Sequence, residues 1–189
     1  MPTMGAIDLR LTSAAVERAI KIGMGTDAER ARFHAGYIFP IDVMAEPATI
    51  ERVEVLTAVR RVVLAAEEHL RMGDHMFSVR PATEAVLPWR DKVTLALHVR
   101  FHPQNTLVSV PPYDISLGER GPAPIAVRRT PRYPLPSGGQ GRGTAMPIYG
   151  AIIEVDFDAA GVDQASRAVT VMLDGRHLAR TTVNFARLD

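Results

Sequence analysis

Apolar side chains recur every three or four residues in the N-terminal third of the chain, a spacing that gives an α-helix one apolar side. This stripe predicts a long helix that runs to Met72 and ends at Gly73. Residues 50–56 are also rich in β-branched side chains, so a second interpretation is a strand followed by a shorter helix that Thr57 caps. The stripe consists of Ile50, Val53, Leu56, Val59, Val62, Val63, Ala66 and Leu70.

Two shorter helices are predicted before this stripe by their capping residues. Thr12 or Ser13 can cap a helix over residues 13–22, because a side-chain oxygen there accepts a hydrogen bond from a free amide of the first turn. Thr26 and Glu29 have the spacing of a capping box, in which each side chain binds the backbone amide of the other residue. The segment that follows Thr26 is therefore expected to form a second, short helix.

After about residue 90 the pattern changes to strict alternation, which is typical of strands with one buried face. Residues 93–101 and 149–157 each place five apolar side chains on one side. Residues 169–173 and 177–185 flank Asp174-Gly175, a pair that tolerates positive φ angles. These last two segments therefore predict a β-hairpin with a type I′ turn.

Two further strands and one loop are predicted between these segments. Residues 107–117 form an extended stretch, which Pro111-Pro112 limits to an edge strand or a bend. Residues 125–129 form a short strand. Residues 131–146 contain so many prolines and glycines that no regular element fits them, and we expect a mobile loop there.

These elements predict one α+β domain over residues 1–189. Residues 1–73 are its mainly helical segment, and residues 90–189 are its mainly β segment. About six antiparallel strands would form a β-sandwich or a curled sheet, with helices from the N-terminal third packed on it. Strands and helices do not alternate along the chain, which argues against a doubly wound parallel fold.

The composition is that of an ordinary folded protein, with 47% apolar and 23% charged residues and a formal charge of +1. The absence of cysteine excludes disulfides, thiolate nucleophiles and Cys-ligated metal sites. No cofactor is expected, because no cofactor motif is present. No apolar run reaches the ~20 residues of a membrane span, and the chain begins without a signal-peptide pattern. The compartment stays open between the cytoplasm and export with a removed signal.

The polar side of the first long strand carries His98, Arg100 and His102, residue types that suit anion binding or acid–base chemistry. His98 and His102 are four residues apart, which in a strand is a separation of about 13 Å, so they cannot hold one metal ion together. No metal site is therefore predicted here. The simplest interpretation is a polar strand surface that faces solvent.

A second group of candidates surrounds the loop rich in proline and glycine. Arg128, Arg129, Arg132 and Arg142 would form a local basic patch together with Tyr133, as in surfaces that bind anions or nucleic acids. The glycine-rich residues 138–144 do not match a phosphate-binding loop, because no helix and no Gly-Lys-Ser/Thr ending follow them. The nearly neutral charge of the whole chain argues against nucleic acid as a partner.

Acidic and aromatic side chains give two further candidates. Glu154, Asp156 and Asp158 alternate along the second long strand and share one side, which we expect to face solvent. Trp89 is the only tryptophan, and it either stacks on a ligand or anchors the edge of the sheet. Asp74 follows the long helix and is expected to belong to its C-terminal capping turn.

The function class that fits these observations best is a non-catalytic binding or protein-interaction module, whose partner is another protein or a second copy of the chain. An enzyme of hydrolase type, with a site assembled around His98, Arg100 and His102, is one alternative, although no catalytic residue is assigned. The other alternative is an anion or nucleic-acid binder that uses the arginines near residues 131–146. The candidate ligand-binding residues are His98, Arg100, His102, Arg128, Arg132, Arg142 and Trp89.

Overall fold

The fold is α+β, as the sequence predicts, and it contains four helices and two antiparallel sheets in the part of the chain that the structure describes. The computed structural model describes residues 11–43, 48–119, 121–134, 146–162 and 166–188. The helices are α1 (Ser13–Gly23), α2 (Asp27–Ala35), α3 (Ala58–Arg71) and α4 (Val79–Val86). The strands are β1 (Ile38–Phe39), β2 (Asp42–Val43), β3 (Thr49–Leu56), β4 (Lys92–Arg100), β5 (Tyr113–Leu117), β6 (Pro124–Arg132), β7 (Gly150–Asp158), β8 (Ser166–Leu173) and β9 (Arg176–Asn184).

The two sheets enclose the main apolar core between them. One sheet has five strands in the order β1-β3-β4-β7-β6, and the other has four in the order β2-β9-β8-β5. The alternating apolar residues of β4 and β7 point to the same buried cluster as those of β5 and β8, which makes the arrangement a β-sandwich. This cluster includes Val53, Leu95, Leu97, Ile153, Val155, Phe157, Ile115, Leu117, Val169 and Val171.

The helices have a second apolar cluster of their own. It joins α1, α3 and α4, and Phe33 on α2 packs against both this cluster and the sandwich core. Helices α1 and α3 approach closely at Gly23, where an added Cβ would lie only 2.5 Å from the carbonyl oxygen of Val63. The buried members are Val16, Ala19, Val62, Val63, Ala66, Phe77, Ala82 and Val86.

The structure decides between the two interpretations of the apolar stripe. Residues 50–56 belong to β3, which pairs with β4, and the helix starts only after Thr57, whose hydroxyl accepts from the amide of Arg60 at 3.2 Å. The second interpretation is therefore confirmed. The predicted capping box is also present at the start of α2, where Thr26 and Glu29 bind each other's backbone amides.

Helix α4 lies in a segment for which the sequence pattern predicts no element. It has only two turns, with Pro81 in the first turn, a position where the missing N–H costs no hydrogen bond. Its apolar residues Ala82 and Val86 are buried against α1 and α3. Two turns are too short for a periodic pattern to stand out, so its helical state depends on this packing.

The predicted hairpin is confirmed, and the predicted start of the loop at residue 131 is corrected. Asp174 and Gly175 have φ angles of 50° and 74° between β8 and β9, as a type I′ turn requires. The expectation of a loop from residue 131 is wrong at its start, because Pro131 and Arg132 belong to β6. Residues 135–145 lie outside the described residues. Of the predicted stretch 107–117, only the part after the two prolines is a strand.

Candidate functional site

The outer side of the five-stranded sheet, which faces away from the core, carries most of the candidate residues and is here called the arginine face. The register places Arg52 beside His98, Glu154 beside Arg128, and Gly150 between Arg100 and Arg132. Two arginines at the start of α3 and one tryptophan complete this surface. Its members are Glu51, Arg52, Glu54, Arg60, Arg61, Trp89, His98, Arg100, Arg128, Arg132, Glu154 and Asp156.

Asp156 lies at the end of the arginine face where Arg61 and Arg128 stack on Trp89, which is here called the closed end. Asp156 is only 1% exposed. Its carboxylate accepts hydrogen bonds from the Thr94 hydroxyl at 2.7 Å and from two nitrogens of Arg128 at 2.7 and 3.0 Å. Burial raises the pKa of Asp156, but the bonds from Arg128 and Thr94 outweigh it and keep the pKa below its usual range. The expectation that Asp156 faces solvent is therefore wrong, because Arg128 covers it.

Trp89 is placed among cations at the same end. The guanidinium carbon of Arg61 lies 3.8 Å from the centroid of its indole ring, and that of Arg128 lies 4.8 Å away. The Lys92 ammonium is 5.6 Å from the same ring. At these distances the cations interact favourably with the ring, and these cation–π interactions hold the arginines in place over the sheet. The Trp89 ring thus contacts cationic side chains of its own chain.

Glu54 lies in the middle of the arginine face and has three partners. Its carboxylate oxygens are 2.7 Å from Arg52 Nε, 2.7 Å from Arg60 Nη2 and 3.2 Å from His98 Nε2. Burial raises the pKa of Glu54, but the hydrogen bonds from His98 and Arg52 and the charge of Arg60 hold it well below its usual range. His98 is largely buried against Glu54, so the expectation that it faces solvent is wrong.

The open end of the arginine face has more positive than negative charge. Arg100 and Arg132 both bind Glu51, and Arg100 is 67% exposed. The Nε of Arg132 donates to the Tyr149 hydroxyl at 3.2 Å, and its guanidinium lies 5.1 Å from the centre of the Tyr149 ring. Gly150 stands between Arg100 and Arg132 in the register, so no side chain separates them. An incoming acidic group can therefore reach both arginines.

Five of the seven predicted ligand-binding residues meet on the arginine face, and two do not. His102 lies beyond the end of β4 in an exposed turn, where its Nδ1 accepts from the amide of Gln104 at 3.2 Å. Arg142 lies outside the described residues. Among the described residues, no group of three or more His, Cys, Asp or Glu side chains is placed to hold a metal ion. His98, Arg100 and His102 each have a different partner. The members brought together are His98, Arg100, Arg128, Arg132 and Trp89.

Arg60 and Arg61 also belong to the arginine face, but they are not among the residues predicted from the sequence. They occupy the third and fourth positions of α3, at the positive end of the helix dipole, where cations are disfavoured. Two arginines in that position indicate that their side chains are bound by partners on other elements of the fold. Arg60 binds Glu54 on β3, and Arg61 donates to the Thr94 hydroxyl at 2.9 Å.

The other side of β6 borders an apolar cleft between the two sheets. The cleft has a volume of about 270 Å³, and its lining includes Val127, Ile115 and Val155. Val127 is 40% exposed although it is apolar. Arg129 on β6 donates to the backbone oxygen of Tyr113 on β5 at 3.2 Å. Strand β6 therefore has Arg128 and Arg132 on one side and borders an apolar cleft on the other.

Comparison with models of known protein families, with characterised proteins and with solved structures finds no match for this chain. None of the helices in the described ranges is both long enough and apolar enough to cross a membrane. A proposal for the function must therefore be based on the side chains of the arginine face and on the edge of β6.

Proposed function

We propose that the protein is a non-catalytic protein-interaction module, which binds an extended acidic segment of a partner protein along β6. The observation that carries this proposal is the combination of features at one strand. Strand β6 is at the edge of its sheet in the part of the chain that the structure describes, between the arginine face and the apolar cleft. An added strand is a common way to recognise an extended peptide.

The backbone of β6 supports strand addition. The amide of Tyr149 donates to the carbonyl oxygen of Arg132 at 2.9 Å, so the even-numbered residues of β6 bond to β7. In an antiparallel ladder the alternate residues point the other way. The amide and carbonyl groups of Val127 and Arg129 are therefore directed to the free edge. Pro131, which lacks an N–H, is tolerated because it is also directed there.

The side chains of β6 define the chemistry of the partner segment. A strand that pairs with β6 presents alternate side chains to the two sides of the sheet. One set meets Val127 and the apolar cleft, and the other meets Arg128 and Arg132. The segment that fits both sides alternates apolar with acidic residues.

The charge on the arginine face favours an acidic segment. Six arginines there are paired with or connected to four carboxylates, which leaves two positive charges in excess. At the open end, Arg100 and Arg132 share the single carboxylate of Glu51. Arginine forms two parallel hydrogen bonds with a carboxylate, so an acidic side chain is well matched to this end.

The proposal is tested with a fluorescein-labelled octapeptide of alternating valine and glutamate, whose binding is followed by fluorescence anisotropy. We expect this peptide to bind at least tenfold more tightly than the same peptide with lysine in place of glutamate. Val127→Asp and Arg132→Gln are each expected to weaken binding about tenfold, a change of about 1.4 kcal/mol. Arg176→Gln, at the start of β9 on the other sheet, is the matched control and should bind normally.

Two N-methylated forms of the peptide distinguish strand addition from simple charge attraction. One is methylated on the valine amides and the other on the glutamate amides. Only one set of amides points to β6 in a paired strand, so one form should lose binding and the other should keep it. Equal binding of both forms, or of the glutamate and lysine peptides, overturns the proposal.

A further inference from the structure

A cavity of about 370 Å³ lies on the outer side of the four-stranded sheet, which is the side of the sandwich away from the arginine face. Two small residues line it, Gly118 directly after β5 and Ala168 on β8, and their backbones are joined by a hydrogen bond of 2.7 Å. Gly118 has a φ of +75°, which favours glycine at that position. The volume is within the range of about 300–1,000 Å³ that is usual for pockets that bind small molecules.

Three polar side chains lie in one row across this cavity. Ser116 on β5 is opposite Thr170 on β8, and Thr170 is opposite Arg180 on β9. Neighbouring strands are about 4.8 Å apart, so two hydroxyl groups and a guanidinium are presented side by side. All three are polar groups that donate hydrogen bonds, and all three line the cavity.

The two ends of the cavity present different side chains. Arg180 and His177 lie on the β9 side, and Glu119 lies on the β5 side, where Arg167 Nη1 would also lie 3.6 Å from a Cβ added at Gly118. Strand β8 lies between the two sides. This places the two ends about 10 Å apart. Among the described side chains, none of these three has an ion-pair partner. The cavity therefore offers donors for an anion at one end and a hydrogen-bond acceptor at the other.

We infer that this cavity binds a small polyhydroxylated molecule with a terminal oxyanion, which is the chemistry of a sugar phosphate or a sugar acid. Arg180 binds the oxyanion, with the Thr170 hydroxyl as a further donor. Glu119 accepts hydrogen bonds from the hydroxyl groups of the ligand, and the Ser116 hydroxyl both donates to and accepts from them. The cavity opens on the other sheet from β6, and Ser116 is the one lining residue that it shares with the apolar cleft beside β6.

Isothermal titration calorimetry with four probes tests the inference: glucose 6-phosphate, glucuronate, glucose and inorganic phosphate. We expect glucose 6-phosphate or glucuronate to bind at least tenfold more tightly than glucose or phosphate. A site for a phosphate group prefers glucose 6-phosphate, whereas a site for a carboxylate prefers glucuronate. These two probes therefore identify the oxyanion. Equal, weak binding of all four probes overturns the inference.

Variants then locate the site. Ala168→Leu fills the cavity without changing its charge and should abolish binding, and Arg180→Gln should weaken it at least tenfold. Thr170→Val keeps the shape of the strand and provides a second test if Ala168→Leu does not fold. Arg176→Gln lies on the same strand as Arg180 but not in the cavity, and it should bind as the original protein does. Unchanged affinity in Ala168→Leu and Thr170→Val overturns the inference, whereas Val127→Asp tests only the β6 proposal.

Discussion

The guanidinium of Arg60 and the carboxylate of Glu54 form an ion pair between helix α3 and strand β3, with Nη2 2.7 Å from Oε2. Arg60 is 4% exposed, and it also donates to the carbonyl oxygen of Val55 at 2.8 Å. A buried pair contributes little net stability when it is complete, but the loss of one partner leaves an uncompensated charge. This relationship makes Glu54 a sensitive position in the fold.

Glu54→Gln is expected to lower the free energy of unfolding at pH 7 by about 3 kcal/mol, because it leaves Arg60 buried without its counter-charge. Urea unfolding followed by circular dichroism measures this change. Glu84→Gln is the matched control, since Glu84 pairs with Arg80 on the exposed surface of α4. That pair is worth at most about 0.5 kcal/mol. A loss of similar size in both variants would contradict the special role of Glu54.

The stability of the protein should fall in acid, because Glu54 and Asp156 both have lowered pKa values in the folded state. Such carboxylates stabilise the fold above their unfolded pKa values of about 4, and that contribution is lost as the pH falls through the folded pKa. We expect the Tm to decrease progressively below about pH 5, and to decrease less steeply in Glu54→Gln. Calorimetry between pH 7 and pH 3 tests this, and equal slopes in the two proteins would speak against it.

Gly175→Ala should destabilise the hairpin of β8 and β9 by about 1 kcal/mol through the backbone alone. Gly175 has a φ of 74°, and no atom lies within 4 Å of the position of an added Cβ. The cost is therefore the left-handed conformation of an L-residue and not a clash. Gly36→Ala is the control, because Gly36 has a helical φ of −67°. Thermal unfolding should separate the two variants, and equal Tm values would contradict the assignment of the turn.

Val171→Asp and Phe101→Asp should each prevent folding, whereas His102→Ala should not. Val171 and Phe101 are buried in the sandwich core, where an unpaired carboxylate costs more than about 4 kcal/mol. His102 is exposed, and its loss should change the free energy of unfolding by less than about 0.5 kcal/mol. The proton NMR spectrum reports which variants fold. A folded Val171→Asp would place that residue outside the core.

Local patterns predicted the hairpin at Asp174, whose two strands are adjacent in the sequence, and the strands β4 and β7, whose pairing partners are distant. The alternation of β4 and β7 could be recognised without those partners, because side-chain direction in a strand follows from position alone. The start of α3 was ambiguous, since residues 50–56 suit both a helix and a strand. Their pairing with β4, about 40 residues later, decides it, and local spacing contains no information on such a contact.

Local sequence patterns also predict the arginine face only in part, because its contacts join residues that are distant in the sequence. Alternation correctly places Asp156 on the polar side of β7, but it cannot indicate whether another side chain covers that side. Arg128, which is 28 residues earlier in the chain, provides the cover. The arginines at the start of α3 were detectable, because their position at a helix N-terminus is unfavourable without a partner. The cavity beside Ala168 depends on three strands at once, so no local pattern indicates it.

The separation of the apolar residues into a sandwich cluster and a helix cluster has a consequence for motion. The two clusters share Phe33, and helix α3 is also joined to the sheet by the bonds from Arg60 to Glu54 and from Arg61 to Thr94. A molecule with two such cores can open one while the other stays closed. In native-state hydrogen exchange, the amides of α1 should therefore exchange through a partial opening of the helix cluster. The amides of β4 should exchange only when the whole protein unfolds.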